Sequence, residues 1–176
     1  GTLVFVQDPL DIVLALEQYD ALEPASREQA ERYSYLDPRG HRILSWDAAK
    51  YVNHSCEPNT MSTAWGFEVA LRDIASGEEI TDEYGLFNLE WEMDCACGHR
   101  RCRGTIRPDD AWRHFRRWDR FVRPAVLAIP TVEQPLIGLL DEVTRGSLDR
   151  FLAGAARYRS VRSLLRPLPR ATQAAC

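Results

Sequence analysis

The chain has 176 residues, of which 45% are hydrophobic and 27% are charged, and its formal net charge is −4. This length fits one domain with a small appendage, and the hydrophobic share excludes wholesale disorder. No apolar run approaches the length of a membrane helix, and no signal peptide is visible at Gly1. We therefore expect a folded protein with one sizeable core and no membrane segment.

Charge is distributed unevenly along the chain. Residues 1–99 carry 19 acidic residues against six basic ones, whereas residues 100–176 carry 16 arginines against seven acids. Lys50 is the only lysine. The preference for arginine is typical of a GC-rich genome, so we expect a cytoplasmic bacterial protein; in a eukaryote the expectation is a nuclear one.

The first forty residues predict short elements joined by loops. Residues 3–6 are apolar and predict a buried strand, and residues 12–16 fit either a strand or a helix. Ser26, followed by Gln29 three residues later, resembles a capping box and predicts the start of a short helix.

Further strands are predicted up to residue 81. A turn at residues 37–40 predicts a hairpin between residues 33–36 and 42–44. Apolar residues alternate with polar or small ones over residues 67–72, which predicts a half-buried strand, and a short strand is expected over 79–81.

Residues 109–166 predict three amphipathic helices. In the first, large apolar residues recur at helical spacing from Trp112 to Val122. We expect two prolines to interrupt the helical pattern, and we expect polar residues to cap the starts of the next two helices. The interrupting residues are Pro124 and Pro130, the helix starts are Thr131 and Ser147, and the last helix ends at Pro167, before a loose tail.

The five cysteines predict a metal site rather than disulfides, because their number is odd and three fall within eight positions. Zinc prefers four tetrahedral ligands, so Cys95, Cys97 and Cys102 need one more. Cys56 lies in another polar, loop-like motif and is the candidate. His99 competes, but its place inside the small loop after Cys97 disfavours it. The fifth cysteine, Cys176, is expected to be free.

Three segments carry most of the functional information. They are Asn53-His54-Ser55-Cys56-Glu57-Pro58-Asn59, residues 77–85 and residues 95–104. In this order and at these separations they resemble the SET domain of protein-lysine methyltransferases with its cysteine-rich post-SET tail. A Cys-His protease pair of His54 and Cys56 is disfavoured, because residues two apart rarely face each other productively.

The resemblance covers residues 1–106 and implies a mostly β fold with some helix, of the β-clip type, with short strands and a threaded pseudoknot. The implied divisions are a SET domain over 1–94, a post-SET zinc segment over 95–108, and an α-helical C-terminal extension over 109–176. The family's Gly-x-Gly segment on the first strand is missing. Either it has been lost by truncation, which we favour because the later motifs are intact, or the chain is a degenerate SET domain.

The resemblance also implies roles for individual residues. Asn53 and His54 would line the S-adenosylmethionine pocket, with Lys50 near the carboxylate end of the cofactor. Tyr84 would be the catalytic tyrosine and also face the cofactor, with its hydroxyl at the end of a narrow channel. Cys56 would complete a structural zinc site with Cys95, Cys97 and Cys102.

The sequence departs from the family pattern next to this tyrosine. Many relatives have an aromatic residue two positions before it and Asp one before it, where this chain has Asp82 and Glu83. The aromatic residue helps to limit how many methyl groups are added, so the methylation state stays open.

The expected function is methyl transfer from S-adenosylmethionine to a lysine side chain of a basic protein or peptide. One alternative is a SET scaffold that binds a basic peptide without catalysis. Another, less favoured, is nucleic-acid binding through the arginine-rich C-terminal helices. The sequence leaves the oligomeric state and the substrate open.

Overall fold

The structure is a computed structural model that describes residues 1–167. The predicted tail after Pro167 and the predicted free thiol of Cys176 lie outside the described residues. The strands are β1 (Leu3–Val6), β2 (Ile12–Leu14), β3 (Ser34–Leu36), β4 (Arg42–Leu44), β5 (Asn53–His54), β6 (Thr60–Ser62), β7 (Phe67–Ala70), β8 (Thr81–Asp82), β9 (Met93–Asp94) and β10 (Thr105–Ile106). The helices are α1 (Leu16–Asp20), α2 (Pro24–Tyr33), α3 (Asp110–Ala128) and α4 (Glu142–Leu152).

The strands form small separate sheets. Strands β1, β7 and β6 make one antiparallel sheet in that order, and β2, β4 and β3 make another. Strands β9 and β10 pair antiparallel, whereas β5 and β8 pair in parallel. The predicted fold class, short strands with some helix and a helical C-terminal region, is confirmed.

The core forms where α3 lies on the sheet of β1, β7 and β6. Alternate residues of the strands point to one face, and residues four apart on α3 share one side of the helix. These two faces bury large side chains against each other. The most deeply buried members are Leu3, Met61, Phe67, Val69, Trp118, Val122 and Val126.

Most predictions for the N-terminal half are confirmed. The strand at residues 3–6 and the hairpin around residues 37–40 are present, and residues 12–16 divide between β2 and the start of α1. The helix expected at Ser26 starts earlier, at Pro24, because the fixed φ of proline suits the first helical position. The strand expected over 79–81 is displaced to Thr81–Asp82.

The predicted break at Pro124 is wrong. Helix α3 continues through Pro124 and has 19 residues. Proline costs a helix one backbone hydrogen bond, but Pro124 is exposed and water can satisfy the freed carbonyl. Val122 and Ala125, on either side, are buried and hold both halves of the helix against the sheet.

The predicted helix starts at Thr131 and Ser147 are also wrong. Residues 129–139 contain 3₁₀ turns instead, Ile129–Thr131 and Ile137–Leu139. Helix α4 begins after Asp141, whose carboxylate accepts hydrogen bonds from the backbone N–H groups of Val143 and Thr144, both at 2.9 Å. Ser147 lies inside α4, and its hydroxyl accepts from the Trp65 indole at 3.2 Å.

The third predicted helix ends at Leu152 rather than Pro167. The apolar spacing beyond it reflects burial of an irregular segment, not a helix. Asp119 of α3 holds this segment, because its carboxylate accepts from the Tyr158 hydroxyl at 3.0 Å, the Ser160 hydroxyl at 2.6 Å and the Val161 N–H at 3.0 Å.

Within the described residues, no helix has both the length and the apolar character needed to span a membrane.

The bounds of α4 lead to a prediction at Gly146. This glycine lies inside the helix, and an added Cβ would meet nothing within 4 Å. Gly146→Ala should therefore raise the free energy of unfolding by about 0.5–1 kcal/mol, measured in urea, because alanine loses less backbone entropy in a helix.

Gly154, just after α4, provides the matched control. Its φ is 74°, which disfavours a side chain, so Gly154→Ala should lower stability. A destabilising Gly146→Ala would show that residue 146 is not helical.

Candidate functional site

The segment at Asn53 and the segment at Tyr84 lie side by side. Strand β5 pairs with β8 in parallel, and the Ser55 N–H donates to the Asp82 carbonyl at 3.0 Å. The Tyr84 hydroxyl donates to the Val52 carbonyl at 2.6 Å. The phenol is therefore held in one position by the chain that enters β5.

His54 joins the Tyr84 backbone to Cys56. Burial, helped by the charge of Arg103, lowers the pKa of His54 to about 4, so its ring is neutral at pH 7. Its Nδ1 lies 3.2 Å from the Tyr84 backbone nitrogen and 3.1 Å from the Asp82 carbonyl oxygen, and the tautomer of the ring decides which of the two is its partner. Its Nε2 lies 3.4 Å from Cys56 Sγ, within hydrogen-bonding distance of the sulfur.

Four thiols come together next to His54. The Sγ atoms of Cys56, Cys95, Cys97 and Cys102, here called the thiol cluster, all lie within 4.8 Å of one another. Those of Cys56 and Cys95 are 3.7 Å apart. A tetrahedral zinc ion with Zn–S bonds of about 2.3 Å places its sulfurs about 3.8 Å apart. The thiol cluster therefore has the ligand type and the spacing that zinc requires.

Backbone N–H groups donate to the sulfurs and act to lower their pKa values, but burial outweighs them at two of the four thiols: the pKa of Cys56 is raised, and that of Cys95 is raised to about 12. The Arg103 N–H donates to Cys56 Sγ and the Gly104 N–H to Cys102 Sγ, each at 3.3 Å. Burial acts to raise the pKa of Cys97, but backbone hydrogen bonds outweigh it and lower this pKa to about 6. Metal ligation needs the thiolate, so these donors support it.

His99, the competing fourth ligand, lies outside the thiol cluster. Its Nε2 is 2.6 Å from a carboxylate oxygen of Glu57, and its Nδ1 accepts from the Arg101 N–H at 3.2 Å. Both ring nitrogens thus have partners other than sulfur, and the structure places Cys56 rather than His99 beside the other three cysteines.

Two residues that the sequence did not single out as a pair connect the thiol cluster to Tyr84. The Arg103 guanidinium donates to Glu83 Oε1 at 2.6 Å, and the same oxygen accepts from the Gly85 N–H at 2.9 Å. Glu83 is fully buried, and burial raises its pKa to about 7 in spite of Arg103. Trp118 of α3 lies against Gly85 and Arg103. The 3₁₀ turn Tyr84–Leu86 is therefore held from two sides.

A pocket of about 270 Å³ opens beside the Tyr84 phenol. Six of its sixteen lining residues are aromatic, with Phe5, Tyr35 and Phe87 among them. Of the four residues predicted to meet a cofactor, Lys50 and Tyr84 line it.

The other two predicted cofactor residues do not line this pocket. The Asn53 side chain is exposed and donates to Glu79 Oε1 at 2.7 Å. The His54 ring faces the Tyr84 backbone and Cys56, as described above. Glu68, which sequence reasoning missed, does line the pocket. Its place in an alternating strand gave no signal of a site.

Comparison with known proteins finds similarity in the first half of the chain. Residues 6–85 match the SET domain family. Histone-lysine N-methyltransferase ATX2 of Arabidopsis thaliana is 37% identical over 70 residues, covering 36% of this chain and 6% of that protein. For histone-lysine N-methyltransferase mes-4 of Caenorhabditis elegans the identity is 35% over 88 residues, covering 38% and 10%. Histone-lysine N-methyltransferase Set2 of Drosophila melanogaster is 26% identical over 115 residues, covering 58% and 5%. The chain spans a tenth or less of the length of these relatives.

The close contact at Gly85 leads to a prediction. A Cβ at this position would lie 2.6 Å from the Trp118 ring and 3.0 Å from Glu83 Oε1. Gly85→Ala should force the ring or the turn to move and lower the free energy of unfolding by about 1–3 kcal/mol, measured in urea. Gly138→Ala is the control, because nothing lies within 4 Å of its Cβ position. Equal stability of the two variants would show that the turn does not press on Trp118.

Proposed function

Because residues 6–85 of this chain are a SET domain, we propose that the protein transfers a methyl group from S-adenosylmethionine to a lysine side chain of a protein. The observation that carries this proposal is the Tyr84 phenol, fixed at the wall of an aromatic pocket by the Val52 carbonyl. The relatives named as histone-lysine methyltransferases support a protein substrate.

Tyr84 acts as a neutral phenol that positions the amine. Burial and the charge of Asp82 raise its pKa, so the hydroxyl keeps its proton at neutral pH. Because that proton points to the Val52 carbonyl, the lone pairs of the oxygen face the pocket. S-adenosylmethionine, when bound, supplies an electron-poor methyl group on sulfur. Such a displacement needs a neutral nitrogen, a dry channel and aligned atoms.

The pocket fits part of the expected cofactor chemistry. Lys50 lines it and is the chain's only lysine, and its ammonium suits the carboxylate of an amino-acid group. The Asn53 amide is exposed and hydrogen-bonded to Glu79. His54 lies against the Tyr84 backbone. We therefore propose that Lys50 and Tyr84 contact the cofactor directly. Asn53 and His54 would lie at the border of the cofactor site.

The thiol cluster would hold zinc in a closed structural site. Four thiolates leave no open position for a water molecule, so the ion would have no part in the chemistry. It would tie residues 95–102 to Cys56, two residues from His54. Metal binding of this kind is coupled to folding by on the order of 10 kcal/mol, which would fix the loop that borders Tyr84.

The substrate we propose is a basic, lysine-containing protein segment. The acidic excess of residues 1–99 would favour its approach. We keep 1–94, 95–108 and 109–176 as the proposed division of the chain. We propose a cytoplasmic location if the host is a bacterium and a nuclear location if it is a eukaryote, since basic proteins are present in both compartments.

Tyr84→Phe tests the proposed function. It removes one hydroxyl and keeps the ring, so methyl transfer to lysine should fall on the order of 100-fold, because the amine loses its positioning contact. The assay follows a labelled methyl group from the donor into lysines of a basic protein mixture. Tyr33→Phe is the control, since it makes the same change on another tyrosine that lines the pocket.

Zinc content of Tyr84→Phe should equal that of the wild type, because the hydroxyl does not touch the thiol cluster. Undiminished labelling in the variant would contradict the role of Tyr84. Absence of labelled lysine in the wild type would contradict methyl transfer and leave the non-catalytic peptide-binding alternative.

A further inference from the structure

Two acidic side chains meet beneath the pocket. Glu68 on β7 and Asp82 on β8, here called the carboxyl pair, are within hydrogen-bonding reach of each other. Asp82 is only 1% exposed. Its Oδ1 accepts from the Glu83 N–H at 2.6 Å, whereas its Oδ2 finds no donor in the protein. A buried carboxylate oxygen without a donor is costly and indicates a missing proton or ligand.

The carboxyl pair holds one proton between its two groups. Two carboxylate oxygens are both acceptors, so they can approach this closely only when a proton lies between them. Burial raises the pKa of Glu68 and of Asp82, and the charge of each raises that of the other. The pair therefore carries a single negative charge in its half-protonated state, and it has room for a second proton.

Glu68 brings the negative charge of the carboxyl pair to the wall of the pocket. Glu68 lines both the 270 Å³ pocket and an adjoining cavity of about 110 Å³. It pairs across the sheet with Phe5, which lines both spaces as well. Burial, together with the charge of Glu68, raises the pKa of Tyr35, and burial, together with the charge of Asp82, raises the pKa of Tyr84. Each carboxyl of the pair thus acts on a phenol that lines the pocket.

Aromatic side chains close to the negative charge of the carboxyl pair suit one class of ligand. The rings of Phe5, Tyr35, Tyr84 and Phe87 can enclose an alkyl chain and attract a cation at its end. A buried carboxylate then needs a cation as its partner. An alkylammonium group, such as the end of a lysine side chain, satisfies both.

We propose that the carboxyl pair of Glu68 and Asp82 binds the ammonium group of the substrate lysine and accepts its proton before methyl transfer. This inference rests on the proposed function. One N–H bond of the ammonium breaks, its electron pair stays on nitrogen, and the proton joins the carboxyl pair. The charge of the pair goes from −1 to zero, and the proton returns to water after the product leaves.

Asp82 supplies the second carboxyl of the pair. It stands two positions before Tyr84, where the SET resemblance leads us to expect an aromatic residue. The other charged or titratable groups around the pair and along the pocket belong to several elements. They are Glu31, Arg32, Tyr35, Asp47, Lys50, His54, Glu83 and Tyr84. Glu83 is engaged by Arg103. His54 is a weak base, because burial and the charge of Arg103 lower its pKa to about 4, so it does not compete for the proton of the lysine.

The test removes both carboxylates without changing their shape, in the double variant Glu68→Gln/Asp82→Asn. Free lysine has a pKa of about 10.4, so about one amine in a thousand is neutral near pH 7.4. Without the acceptor, kcat/KM at pH 7.5 should fall on the order of 100-fold and recover toward pH 10. The wild type should stay active to lower pH. The control is Glu133→Gln/Glu142→Gln, which removes two exposed charges outside the pocket.

A second measurement does not depend on activity. Binding of n-butylammonium chloride at pH 7.5 is followed by isothermal titration calorimetry. The double variant should bind it at least about 10-fold more weakly than the wild type, whereas 1-butanol, its neutral analogue, should bind both equally. Thermal unfolding checks that the double variant is folded, and each single variant, which keeps one carboxylate, should bind better than the double.

The outcomes separate this inference from the function on which it rests. Equal n-butylammonium binding by wild type and double variant overturns the inference, as does an unchanged pH profile in an active enzyme. A wild type that binds n-butylammonium through the pair but labels no lysine overturns the proposed function, and supports the pair as an ammonium site.

Discussion

The contact between Arg103 and Glu83 holds the candidate site together. Glu83 is fully buried, and one of its oxygens receives both the guanidinium and the Gly85 N–H. The backbone of the same arginine donates to Cys56 Sγ. Breaking a buried charge pair by removing one partner typically costs about 3–5 kcal/mol. The position of the Tyr84 phenol therefore depends on the loop that carries the thiols.

This arrangement gives the helical extension a direct part in the site. Trp118 of α3 is 3% exposed, and it lies on Gly85 on one side and near the Arg103 guanidinium on the other. Asp110, in the first turn of α3, adds a second carboxylate 3.5 Å from Arg103. The turn that carries the proposed catalytic residue is thus shaped by residues from three separate stretches of sequence.

The sequence predicted those features that depend on local pattern. Strand periodicity identified β1 and β7, and turn residues identified the hairpin of β3 and β4. The spacing of Cys95, Cys97 and Cys102 indicated three ligands of one site, and the structure brings Cys56 to them. The short motifs identified the SET domain, which the family match confirms for residues 6–85.

Features that depend on distant partners could not be predicted in this way. Apolar spacing after Leu152 looked helical, but the three bonds to Asp119 hold the segment in an irregular path. In the sequence, Asp82 and Glu83 were only departures from the family's motif before the tyrosine. Their partners, Glu68 and Arg103, lie 14 and 20 positions away along the chain, and only the fold shows these pairs.

Amide hydrogen exchange with and without zinc measures whether metal binding at the thiol cluster holds the Tyr84 turn. The wild type should bind one zinc ion per chain, and its removal should speed exchange at the Gly85 and Leu86 amides as well as at residues 95–104. Cys56→Ser with zinc added should resemble the metal-free protein. Faster exchange confined to residues 95–104, with Gly85 and Leu86 unchanged, would show that the metal does not hold the Tyr84 turn.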